Sequence, residues 1–256
     1  MTLATTSLAR RTSRSASYAG VLLAAIAVLL LALAPIGYRA GWWPYRFSLL
    51  SLMLYSAYFG LAAAAVSTLA LLVGRSALGA RGIAAALAAL IAGGITAYVP
   101  WHYRALARSV PPIDDITTDT QNPPAFIAVL SARAAEGGNP ARYGGAKTAA
   151  LQKRGYPDIA PLPLPLAPEK AFALALATAK EMRWTIVATD PKEGRIEASE
   201  RSFWMGFTDD IVVRVTAAGA GSRVDMRSAA RHGRSDLGVN AARIRAYFAK
   251  LRAAAG

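Results

Sequence analysis

The first acidic residues of the chain are Asp114, Asp115 and Asp119, in the stretch "IDDITTDTQNPPAF" that ends at Phe126. Carboxylates this close suit three kinds of chemistry. They can gather round a hard cation such as calcium, trade protons as general acid and base, or pair with arginine. An EF-hand calcium loop needs alternating acids, a glycine at its sixth position and a closing acid. This stretch lacks that glycine and that spacing. Placed on a strand, Asp115, Thr117 and Asp119 share one face, opposite Ile116.

Further acids and arginines follow the same alternation. Period two puts Arg195, Glu197, Ser199 and Arg201 on one strand face, and sets Arg214 opposite Val213 and Val215. Asp225 and Arg227 fall together, opposite Val224 and Met226. "RSAARHGRSD" adds Arg231, Arg234 and Asp236. The expected polar layer consists of Asp115, Asp119, Arg201, Asp209, Asp210, Arg214, Asp225, Arg227 and Arg231. One reading is a structural network, because buried charges are as a rule paired. The other is a cleft for an anionic or sugar-like ligand, since arginine forks match carboxylate and phosphate.

Other chemistries find little support. "GRSDLG" has one residue too many after the serine for a nucleophile elbow, and "GGAKT" lacks the spaced first glycine of a P-loop. His102 and His232 are the two histidines, fewer than a catalytic zinc site needs, and there is no cysteine. No cofactor and no bound metal are expected. Basic residues of the second half are interleaved with acids, which disfavours nucleic acid. In "RSFWMGFTDD", Phe203, Trp204, Met205 and Phe207 crowd one hairpin. They either cap the core or form an exposed apolar tip for a membrane or partner.

The elements that must carry these residues begin with "ARAAEGGNPARYGGAKTAALQKRGYPDIAPLPLPLAPEK", rich in Gly and Pro and read as an irregular wrap. Pro168 suits the first turn of a helix, with Glu169 placed for its dipole. Phe172, Ala175, Leu176, Ala179 and Met182 make its apolar stripe. "WTIVATD", "GRIEASERS", "DIVVRVTAAG" and "SRVDMRSAA" read as four antiparallel strands, with turns at "DPKEG" and "AAGAG". Ser235 or Asp236 can cap a last helix whose stripe is Leu237, Ala241, Ile244, Phe248 and Leu251. The pattern is an α+β domain, a small antiparallel sheet with helices on one face.

The first hundred residues differ in kind. Residues 1–110 hold nine arginines and no acid, out of a chain total of 29 basic and 15 acidic residues. Arg14 and Arg39 bracket 24 uncharged residues, Arg46 and Arg75 bracket 28, and Arg81 and Arg104 bracket 22. A membrane span takes roughly 20 predominantly apolar residues, so three transmembrane α-helices are expected. None contains Asp, Glu, Lys or Arg, which suits an anchor better than a transporter. Arg10, Arg11, Arg14, Arg75 and Arg81 flank one side, against Arg39, Arg46, Arg104 and Arg108 on the other. That bias, five to four, favours a cytoplasmic N-terminus and a C-terminal domain outside. Trp42, Trp43 and Tyr45, with Tyr98, Trp101 and Tyr103, would form an aromatic belt at one interface.

Four motifs in order, "IDDITTDTQNPPAF", "RGYPDIAPL", "GFTDDIVVRV" and "VDMRSAARHGRSDLGVNAARIRAY", resemble the domain of unknown function 1499 family over about residues 111–253. The resemblance implies an envelope-associated or membrane-anchored domain, common in bacteria and also found in chloroplast-bearing organisms. It implies no established activity and carries over no catalytic residue.

The expected organisation is a cytoplasmic tail at 1–17, a three-helix transmembrane anchor at 18–109 and an α+β domain at 110–253. The expected setting is the bacterial inner membrane, with the domain in the periplasm. Expected partners are the lipid bilayer and an envelope protein or anionic ligand. The leading functional reading is a non-enzymatic binding module. The alternative is an enzyme acting on an envelope component, with aspartates of the polar layer as acid and base.

Overall fold

A computed structural model describes residues 2–256, except for the side chains of residues 2–11, Arg75 and Ala77. Arg10, Arg11 and Arg75, counted above as flanking charges, therefore lie outside the described side chains. The chain divides into two compact units, Met1–Ala105 and Leu106–Gly256.

The first unit is helical. It comprises α1 (Thr2–Arg39), the single turn α2 (Tyr45–Phe47), a π-helical turn at Ser48–Leu52 and all but the last four residues of α3 (Met53–Ser109), which breaks at Gly79. Gly79 takes φ 66°, a left-handed conformation open to glycine at little cost. Three helical stretches are long and apolar enough to cross a membrane: Thr12–Arg39, Tyr45–Gly74 and Leu78–Ser109. Small residues let them approach closely. A Cβ on Gly60 would collide with the Gly93 carbonyl, and one on Gly93 with the Gly60 carbonyl. Serine hydroxyls donate across the bundle, Ser48 to Ala34 O at 2.7 Å and Ser56 to Ala27 O at 2.8 Å. Leu29, Leu50, Leu72, Ile91 and Trp101 point outward, an arrangement that favours lipid over water.

The second unit holds a six-stranded antiparallel sheet. Its strands are β1 (Asp115–Thr117), β2 (Leu162–Leu164), β3 (Thr185–Asp190), β4 (Arg195–Arg201), β5 (Thr208–Ala218) and β6 (Gly221–Ala230). The order is β1-β6-β5-β4-β3, with β2 also on β6. The four strands read from alternation are β3 to β6. β1 and β2 lie along the same edge of β6, paired with Arg227–Ala229 and Ser222–Val224. Thr118 fills the gap, donating to Met226 O at 2.9 Å while its hydroxyl accepts from Met226 N at 2.9 Å.

The segment read as an irregular wrap needs correction. It contains most of α4 (Leu130–Ala135), then α5 (Gly145–Gly155) and β2. α4 and β2 are too short to show a period, α5 offers only alanines and one leucine as an apolar stripe, and Pro163 hides a strand that survives because it lies at a sheet edge. α5 has a definite task. Gln152 donates to Thr117 O at 2.6 Å and accepts from Thr117 N at 3.0 Å, closing the outer edge of β1.

Helices α6 (Pro168–Glu181) and α7 (Val239–Ala254) cover one face of the sheet. Proline opens α6 and Glu169 sits in its first turn. Asp236 caps α7 by accepting from Asn240 N at 2.7 Å and Gly238 N at 3.0 Å; Leu237 precedes the helix. Ile196, Ile211, Val213, Val224 and Met226 meet Phe172, Ala175, Ile244, Tyr247 and Leu251 in one core. Each large side chain buried there contributes roughly 1.5–3 kcal/mol. The Tyr247 hydroxyl donates to Ala175 O at 2.8 Å and ties the two helices together.

Candidate functional site

Alternation sends the other side chains of the central strands to the opposite face, and many of these are charged. Residues 118–141, including α4, run across them as a strap. Under this strap, which itself supplies Asp119, the structure gathers Asp115, Asp210, Arg214, Asp225, Arg227 and Arg231.

Asp115 on β1 and Arg227 on β6 are diagonal neighbours, since Asp115 stands opposite Ala229, and they form a two-pronged bond at 2.9 and 2.7 Å. Arg227 also donates to Pro124 O and Ala141 O and stacks over the Phe126 ring at 4.6 Å. Asp210, fully buried on β5, accepts from Arg231 at 2.9 and 2.7 Å, from Arg133 at 2.9 Å and from Ser199 at 2.9 Å. Asp225 accepts from Arg214, Arg223 and the Thr118 hydroxyl. Asp119 meets the same two arginines at 3.3 and 2.9 Å and folds its own turn through Gln121 N and Asn122 N. Among the described residues of this layer, Arg214 Nε and the Tyr143 hydroxyl are buried without a hydrogen-bond partner.

Two expected members lie elsewhere. Arg201 ends β4, is exposed, and donates to Gly206 O at 3.0 Å. Asp209 faces α7, where Arg243 donates to it at 2.7 Å. Arg243 also bonds Glu200 at 2.5 Å, Ser228 at 2.8 Å and Asn240.

Sequence reading missed several participants. Glu197, fully buried, accepts the N–H groups of Ile127, Ala128 and Val129 just before α4, at 2.9 to 3.2 Å. A carboxylate is well matched to donors at a helix N-terminus. Its position on the same face as Arg195 and Ser199 was the available signal. Arg133 and Asn139 sit in the strap, which shows no periodicity, and Arg223 and Arg243 look like ordinary surface cations in the sequence.

Burial and pairing shift the acids in opposite directions. Desolvation raises the Asp119 pKa, but the N–H groups of Asn122 and Gln121, with Arg223 and Arg214, outweigh it and hold the group below the usual value. Desolvation dominates at Asp209 despite Arg243, and at Asp236 despite its two N–H donors, so both are raised. Burial likewise pushes the Tyr143 phenol up to about 12, with the Asp115 charge adding to it.

The hairpin between β4 and β5 is the exposed counterpart of this covered layer. Ser202 N donates to Phe207 O at 2.8 Å, Phe207 N to the Ser202 hydroxyl at 2.9 Å and Gly206 N to Ser202 O at 3.0 Å. Met205 is buried, Trp204 and Phe207 are half-buried, and Phe203 is 95% exposed. The same short loop thus both caps the core and presents an apolar side chain.

A family model described as "Protein of unknown function (DUF1499)" matches residues 115–251. The match spans the sheet, the strap, α6 and α7 as far as Leu251. A search of the curated proteins finds no match.

Proposed function

The chain belongs to this family of proteins of unknown function, and from that premise we propose that its α+β domain is a membrane-tethered binding module of the bacterial cell envelope. In this reading three helices anchor the chain in the inner membrane, the N-terminus is cytoplasmic, and the domain faces the periplasm. There it binds an envelope protein or an anionic ligand.

The observation that carries the reading is the engagement of the buried acids. Glu197, Asp210 and Asp225 are each held by several donors beneath the strap. A general acid or base must reach a substrate's proton, directly or through one water. Carboxylates spent on arginines and backbone N–H groups are better suited to fixing the strap. The polar layer then acts as scaffold, and recognition falls to the exposed surface. A second reading, an enzyme, draws on Asp209 and Asp236, buried carboxyls with raised pKa values in a region of buried charge. Carboxyl titration by NMR separates the two readings: a group titrating near neutrality favours the enzyme.

Topology is tested by fusion. Alkaline phosphatase joined after Leu251 is expected to be active, and a fluorescent reporter that matures only in the cytoplasm is expected to stay dark. The reverse pattern overturns the periplasmic placement.

A further inference from the structure

Three loops share one end of the sheet. The Ser202–Phe207 hairpin joins β4 to β5 there. β6 finishes there, with Ala230 opposite Asp209, and leads into the 231–238 loop. β1 starts there, with Asp115 opposite Ala229. The segment leading into β1 is bonded to this end, through Ala230 N to Asp114 O at 2.9 Å and Asp236 N to Ile113 O at 3.2 Å.

We propose that the Ser202–Phe207 hairpin is a second, peripheral contact with the lipid bilayer: Phe203 enters the headgroup layer, and Arg201 and Arg234 lie against lipid phosphates. The proposal deepens the reading of the domain as a membrane-tethered module and rests on it.

Chain connectivity selects the bilayer as occupant. Helix α3 ends at Ser109, and β1 begins six residues later at Asp115. Six residues reach at most about 20 Å when extended. The hairpin starts two to three strands across from β1, on the order of 10–15 Å. The end of the sheet nearest in sequence to an apolar span is therefore the end that carries the exposed aromatic.

Charge points the same way. "RSFWMGF" (201–207) contains no acid, the one acid of the 231–238 loop, Asp236, is buried, and the neighbouring Glu136 and Glu200 are paired with Arg231 and Arg243; Arg201 and Arg234 are exposed. A basic, aromatic surface suits an anionic membrane interface. The hairpin is also held ready. Its internal hydrogen bonds, the buried Met205, and Gly206 at φ 75° fix the backbone, so little ordering is left for contact.

The chain has no cysteine, so a single introduced cysteine gives one labelling site. The test uses the full chain in nanodiscs of phosphatidylethanolamine and phosphatidylglycerol. Phe203→Cys and Ala220→Cys each receive a nitroxide; Ala220 is exposed in the turn at the opposite end of the sheet. Position 203 is exposed, so the substitution leaves the core untouched. The label at 203 is expected to meet oxygen more than a water-soluble nickel complex, and the label at 220 the reverse. In neutral phosphatidylcholine discs the label at 203 is expected to move toward water, and unchanged depth there overturns the role of the arginines. Nickel access at 203 equal to that at 220 overturns the proposal. Shielding from oxygen and nickel alike means that protein covers the hairpin, and it overturns the proposal too. An aqueous label beside an active phosphatase fusion removes the lipid contact and leaves the module standing.

Discussion

On one face of the sheet Ile211, Val213, Val224 and Met226 meet α6 and α7; on the other Glu197, Asp210, Asp225 and Arg227 lie beneath the strap. Both sets are almost fully removed from water. Apart from the Asp209–Arg243 cluster at one end, the helix face needs only apolar surface of about the right shape, because the hydrophobic effect has no direction. The strap face needs a particular partner for each charge, because a buried ion left unpaired is costly. Such pairs add little net stability over an apolar core, but they admit few alternative arrangements of the strap. The difference teaches how a short, irregular segment is held in a single place: Phe126 and Val129 pack on Val212 and Ala229, and the ion pairs fix the rest of its path.

The strongest way to break the contrast is Asp210→Asn. It leaves Arg133 and Arg231 buried without their shared carboxylate, and breaking a buried pair costs about 3–5 kcal/mol. Leu251→Ala on the helix face is expected to cost about 2–5 kcal/mol through its cavity. Denaturant unfolding of a fragment covering residues 106–256 measures both. The sharper difference is local: Asp210→Asn should speed amide exchange across the strap, whereas Leu251→Ala should not. Equal exchange in the two variants would undo the assignment of the strap to ion pairs.

A smaller effect belongs to Asp119, whose partners Arg214 and Arg223 are partly exposed. Asp119→Asn is expected to cost about 1 kcal/mol, the upper end for pairs open to solvent. Its folded pKa is depressed, so its contribution is present above the unfolded value and is lost as the pH falls through the folded one. The gap between wild type and variant should hold at neutral pH and close under acid, below about pH 4. Asp236 has the opposite sign. Its folded pKa is raised, so wild-type stability falls as the pH rises from the unfolded value to the folded one. A gap for Asp119 that widens in acid would contradict the pairing.

The smallest effect is expected for Arg245→Ala. Its pair with Asp158 is short, at 2.6 Å, yet about half of each side chain is exposed. Water and salt screen such pairs, and the change should stay within about 1 kcal/mol in the same unfolding experiment. A loss as large as that of Asp210→Asn would show that burial is not what separates the two faces.

The sequence by itself determined whatever depends on composition and local period. Three long uncharged runs specify the apolar helices, since a run of that length leaves the backbone nothing to bond except itself in lipid. Alternation specifies β3 to β6 and also which of their residues face away from the helices. Asp225 with Arg227, and Arg214 opposite Val213, follow from period two alone. The stripe from Ala241 to Leu251 likewise specifies the buried side of α7. Only the tertiary structure decided the partners. β1 and β2 are three residues long, too short for a period, and exist because β6 offers an edge to pair with. Arg133 reaches Asp210 across 77 positions, and Arg227 reaches Asp115 across 112. A charge reads the same in sequence whether solvent or a distant carboxylate neutralises it. The strap's path over the sheet decides between them, and that path is set by long-range bonds such as those of Glu197.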